Sequence, residues 1–159
     1  MPVSPTIRAR LEIQGYCNLD DSLLEAIAPW VRFSPALCTL SMALGTALAS
    51  PLLLWGLAVT AFIGAVTPRH PFDLLYNYLV RRVTGTPPLP PNGAPRRFAC
   101  AMAAVWLVGT GIAFNGGATV AGYVLGAVLT VMASIVSVSH VCIPSMIYQS
   151  MFGRRARTA

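Results

Sequence analysis

The chain has no lysine. All 11 basic residues among its 159 are arginine, and only five residues are acidic. Charged residues make up 10% of the whole, against roughly 25% in a soluble domain. That is too little charge to cover a water-exposed surface. The deficit is concentrated: no Asp, Glu, Lys, Arg or His occurs from Phe33 to Thr67, and none from Phe98 to Ser139. A charge-free stretch of about 18 residues reads as membrane-spanning, and both runs are far longer. Ion-coupled transporters, proton relays and voltage sensors place ionisable groups in the bilayer, so their absence from these runs excludes those classes for the chain alone. A paired carboxylate, a phosphate loop and a Ser-His-Asp set are missing too, and an enzyme is the less favoured reading. The first 30 residues lack the apolar core of a signal peptide, being interrupted by Arg8, Arg10, Glu12, Asp20, Asp21 and Glu25. The first span is therefore expected to act as the insertion signal.

The first apolar run is about 35 residues, or roughly 50 Å as one helix, against a hydrocarbon core of about 30 Å. It must fold back, and Ser50-Pro51 is the natural break because proline disrupts a helix interior. This gives spans near 33–49 and 51–67. The second run breaks at Asn115-Gly116-Gly117, a turn signal, giving spans near 98–114 and 118–139. Arginines precede the first span, lie between the second and third, and follow the fourth, while both hairpin turns are uncharged. Every arginine then falls on one side, the cytoplasmic side by the positive-inside rule. The expectation is an all-α integral membrane protein of the bacterial inner membrane, with both termini cytoplasmic. The first hairpin has an alternative reading as a re-entrant loop, which leaves this orientation unchanged. The net charge of +6 is explained by topology and does not call for nucleic acid.

The two halves resemble each other. Arg32-Phe33 opens one and Arg97-Phe98 the other. Each hairpin is followed by a histidine (His70, His140), a proline (Pro71, Pro144), a tyrosine (Tyr76, Tyr148) and an arginine pair (Arg81-Arg82, Arg154-Arg155). We read a parallel tandem repeat, each unit a helical hairpin followed by a short interfacial helix. The units cover residues 32–82 and 97–155, joined by a stiff proline-rich linker at 83–96. Residues 72–82 form the first interfacial helix, with Phe72, Leu75 and Leu79 on one face. Residues 1–31 form a cytoplasmic segment with its own short amphipathic helix.

Several residues are candidates for chemistry. His70 and His140 are possible ligands for haem, a chlorin or a metal, although capping of a helix C-terminus is the preferred account and no cofactor or metal is expected. Cys142, just before a helix, is a candidate reactive thiol, set against a purely structural role. Cys17, Cys38, Cys100 and Cys142 include no C-x-x-C pair, and no disulfide framework is expected. Ser41 with Gly45, and Gly122 with Gly126, form small-residue faces suited to close helix packing within the chain or with a partner. Arg81, Arg82, Arg96, Arg97, Arg154 and Arg155 are candidates for anionic lipid headgroups or an acidic partner.

Arg32-Phe33, Pro95-Arg96-Arg97-Phe98-Ala99 and Cys142-Ile143-Pro144-Ser145-Met146-Ile147-Tyr148 resemble an uncharacterised family of small bacterial inner-membrane proteins, known only as a domain of unknown function. The resemblance covers roughly residues 20–153. It implies the four-helix architecture and no activity. Many members look to carry a second cysteine where this chain has Ser145, which puts a dithiol cycle in doubt here. The leading expectation is a non-catalytic subunit or scaffold of a larger membrane complex, respiratory or photosynthetic. A thiol-redox or sulfur-handling protein using Cys142 is the second, and haem or pigment binding through His70 and His140 the third.

Overall fold

The computed structural model describes residues 4–153, so Arg154 and Arg155 lie outside the described residues. Among those residues it is all-helical: α1 (Pro5–Ile13), α2 (Asp21–Ile27), a 3-10 turn (Trp30–Arg32), α3 (Phe33–Ala47), α4 (Pro51–Val66), α5 (Pro71–Leu75), a π-helical turn (Tyr76–Val80), α6 (Arg81–Thr84), α7 (Ala94–Asn115), α8 (Thr119–Ser139) and α9 (Ile143–Phe152).

Helices α7 and α8 are long and apolar enough to cross a membrane. The number rises to four if each of two bent pairs is taken as one span. One pair is α2 with Trp30–Ala47, bent by 46°, and the other is α4 with Pro71–Thr84, bent by 83°. The difference is one of length. The 22 residues of α7 reach about 33 Å and the 15 of α3 only about 23 Å.

Both hairpins turn where sequence places the break, and by one motif. Ser50 N–H donates to Gly45 O, and Ala49 N–H to Thr46 O, with Ala49 left-handed at φ 46°. Ala118 N–H donates to Ala113 O, and Gly117 N–H to Phe114 O, with Gly117 at φ 78°. These are Schellman turns. Ser50 then caps α4 by accepting from Leu53 N–H, with Pro51 in its first turn.

The hairpins interlock. Helix α3 packs chiefly on α8 and α4 on α7. Met42, Leu54, Leu57, Ala58, Ala61, Ala104 and Leu107 form the core between them. Small residues allow the approach. A Cβ on Gly126 of α8 would lie 2.3 Å from Thr46 Oγ1 of α3, and one on Gly122 2.6 Å from the Phe114 ring. Gly45 lies against Leu54, and Ser41 is half-buried. All four small residues named from sequence therefore sit on α3 or α8, and the three glycines meet groups of this same chain.

A second, smaller core lies outside the bundle. Leu11, Tyr16, Leu24, Ile27, Val31, Tyr76 and Leu89 bury one another there. Residues 4–31 thus form a packed cap that includes α1, a helix the sequence reading did not anticipate. The linker lies against this cap. Leu89 N–H donates to Asn77 Oδ1 at 2.8 Å, and Asn77 Nδ2 to Leu89 O at 3.4 Å. Of the face expected on 72–82, Leu75 and Leu79 are exposed, and Asp73 and Tyr76 point inward instead.

Candidate functional site

A cavity of about 150 Å³ opens where the cap meets the bundle. Its walls are apolar and come from four helices: Met42 of α3, Leu57 of α4, Leu107 of α7, and Leu129 and Met132 of α8. Gln14, Ser34, His70 and Arg96 line its polar end. Cys38, Cys100 and Cys142, from α3, α7 and the start of α9, also line it. All three are free thiols.

Arg96 departs from the headgroup contact expected of it. It is 7% exposed and Asp73 is 2% exposed. The two belong to a closed ring of four side chains. Arg96 Nη1 donates to the Tyr16 hydroxyl. That hydroxyl donates to Asn92 Oδ1 at 3.1 Å, and Asn92 Nδ2 donates to Asp73 Oδ2 at 2.8 Å. Asp73 Oδ1, which has no hydrogen bond, faces Arg96 Nη2 at 3.5 Å. A buried charge needs this kind of pairing. Burial pushes the Tyr16 hydroxyl up to about 12 against the pull of Arg96, so it stays protonated and keeps donating.

Arg97, by contrast, reaches Ala65 O at 2.9 Å and Val66 O at 3.1 Å, satisfying carbonyls at the end of α4. Arg82 is exposed and Arg81 half-buried on α6.

The two histidines are held differently. His70 caps the N-terminus of α5, not the C-terminus of α4: its Nδ1 accepts from Phe72 N–H at 3.2 Å and lies 3.2 Å from Ser34 Oγ. An Nδ1 that accepts puts the ring proton on Nε2. His140 is the left-handed C-cap of α8, at φ 58°. Its Nε2 accepts from Arg32 Nε at 2.7 Å, so its proton sits on Nδ1. Its carbonyl accepts from Gln14 Nε2 at 2.7 Å, and Ser139 O accepts from Arg10 Nη1 at 2.8 Å. The cap is thus tied across the mouth of the cavity. The structure does not bring the two imidazoles onto a shared ligand position, and the Nε2 of His140 is taken by Arg32. Among the described residues no three His, Cys, Asp or Glu side chains lie close enough to hold one metal ion.

Both rings are pushed down to about 4. For His70 burial is the main cause, with Asp73 opposing it and Arg96 adding to it. For His140 burial leads, followed by Arg32, Arg10 and Arg96. The unfolded chain therefore binds more protons than the folded one between about pH 4 and 6.5. The stability these rings contribute is complete above pH 6.5 and is lost as pH falls toward 4. Thermal melting in detergent across that window should show a falling Tm, and His140→Asn should flatten the slope. A Tm that stays level would contradict the neutral-ring assignment.

Cys142 is the N-cap of α9 and is 7% exposed. Ser145 Oγ lies 3.1 Å from its Sγ and 3.2 Å from Pro95 O. This fixes the thiol against the first turn of α7, one helical turn before Cys100. Cys17 is exposed, away from the cavity, beside Glu12 O. Sequence reading singled out Cys142 but gave Cys38 and Cys100 no role. Only the packing of α3 on α8 and of α7 on α9 shows that three distant cysteines share one space.

A known protein family, described as Domain of unknown function (DUF4395), matches residues 28–152. No curated protein and no solved structure matches the chain.

Proposed function

The chain belongs to the DUF4395 family, and from that premise we propose that it is a multi-pass protein of the bacterial cytoplasmic membrane that performs thiol chemistry at Cys142. Both termini lie in the cytoplasm, and the reacting partner enters the cavity between the cap and the bundle. The observation that carries this reading is the convergence of Cys38, Cys100 and Cys142 on one cavity whose polar end holds Arg96. Arg96 lines the same cavity as the three thiols, and Cys142 stands at the N-cap of α9.

The reading of the chain as a non-catalytic subunit had its support in the small-residue faces. Gly45, Gly122 and Gly126 meet Leu54, Phe114 and Thr46 of this same chain, so those faces no longer ask for a partner. Lipid is the neighbour we assign to α6, where Arg81 and Arg82 adjoin the exposed Tyr78, Leu79 and Val83. Lys and Arg beside apolar side chains suit an anionic membrane surface.

Thiol labelling followed by peptide mass spectrometry tests the proposal. A small uncharged methanethiosulfonate should modify Cys142 at least about tenfold faster than a bulky sulfonated maleimide does, while Cys17 reacts readily with both. A Cys142 inert to every small reagent in the folded protein sinks the reading.

A further inference from the structure

The cavity has a shape and polarity of its own. Its volume is about 150 Å³, enough for a six-membered ring when the walls are apolar. The walls are leucine and methionine side chains from α3, α4, α7 and α8. At the polar end stands His70, 4% exposed and held through one ring nitrogen. Nδ1 is used by Phe72 N–H and Ser34 Oγ, which leaves Nε2–H to the cavity that His70 lines. A ligand carbonyl placed in the cavity would accept from that Nε2–H. Cys100 of α7 and Cys142 at the start of α9 line the same cavity, and α7 packs on α9.

We propose that the cavity binds a quinone ring, which accepts two electrons from Cys100 and Cys142 while one of its carbonyls accepts a hydrogen bond from His70 Nε2–H. This rests on the thiol reading above. In a single turnover both S–H bonds break and a Cys100–Cys142 disulfide forms. The two electrons and two protons pass to the quinone, which leaves as the quinol. Apolar walls suit the uncharged ring in both states. Gln14 and Arg96 bound the end where the protons are handed over. The missing second cysteine at Ser145 is no obstacle, because the partner thiol comes from α7 and not from α9.

The test uses the full chain carrying Cys17→Ser, reduced and purified in detergent, with a short-tailed quinone whose ring is fully substituted so that no thiol can add to it. The quinone should raise the Tm. Alkylation and mass spectrometry should then show Cys100 and Cys142 joined, with one quinol formed per disulfide. Ala103→Leu, which fills the cavity from α7, should weaken quinone binding by about tenfold or more. His70→Gln should weaken it as well, measured on protein whose thermal unfolding shows that it is folded. If His70→Gln fails to fold, Ala103→Leu still decides the matter. No quinone-dependent Tm shift, or thiols unchanged by quinone, overturns the proposal. In that event a small disulfide is offered to the same protein. Reaction at Cys142 leaves the thiol reading standing without the quinone, and no reaction removes both.

Discussion

Replacing Asp73 with alanine should destabilise the protein by about 3–5 kcal/mol, the usual cost of stripping one partner from a buried ion pair. In a chain of this length that is a fall in Tm on the order of 10 °C. The reason lies in the ring of four. Arg96 keeps its charge at 7% exposure, and without Asp73 its nearest remaining partner is a neutral phenol. Asn92 also loses the acceptor for its Nδ2. Arg96→Met alone should cost a similar amount, because it leaves a carboxylate buried with only Asn92. The double change Asp73→Ala with Arg96→Met should cost no more than either single one, since it removes both charges. Unfolding measured in detergent on the four proteins gives the coupling directly. Additive losses would mean that the two charges do not stabilise each other as the geometry requires.

Gly64→Ala should be the next most damaging small change, at about 2–4 kcal/mol. A Cβ there falls 2.4 Å from His70 Cδ2. The ring cannot retreat, being held by Ser34 and by the Phe72 amide. Overpacking of this kind costs about 1–3 kcal/mol, and loss of the α5 cap adds about 1 kcal/mol. Gly56, two turns earlier on the same helix, has nothing within 4 Å of its added Cβ. Gly56→Ala should therefore be neutral or stabilise by up to about 1 kcal/mol through helix propensity. The pair shares its chemistry and its helix and differs only in what it meets. Equal Tm changes for the two would refute the placement of His70.

The helical architecture was legible because its signals are local. Ser50-Pro51 and Asn115-Gly116-Gly117 punctuate two charge-free runs, and the chain turns at both. The site was not legible, because its parts are not local. Arg96 stands at the start of an apolar helix, where arginine ordinarily marks the membrane surface, and nothing near it in sequence shows that it is buried. Its partners come from residues 16, 73 and 92. One signal was available: Asp73 is the only acidic residue after Glu25. A lone carboxylate among the nine arginines that follow Glu25 invites the question of which of them it holds. Cys38 and Cys100 had no role assigned from sequence, because periodicity reports which face a residue occupies and not what it meets. His70 lies close after α4 in sequence, so it read as a cap for that helix. Pro71 begins a new helix at once, and the ring serves α5 instead.

The bonds that tie the cap across the bundle also set an order on its assembly. Gln14 is 126 residues from the carbonyl it holds, and Arg10 is 129 from its own. At roughly 5–20 residues per second of synthesis, the segment that leaves the ribosome first waits several seconds or more for the last span to exist. Until then Gln14 and Arg10 lack the carbonyls they hold, and the cavity lacks its lining from α8 and from Cys142. Closure over the thiols is therefore among the last events of biogenesis, and anything destined to be enclosed there during assembly must arrive before it.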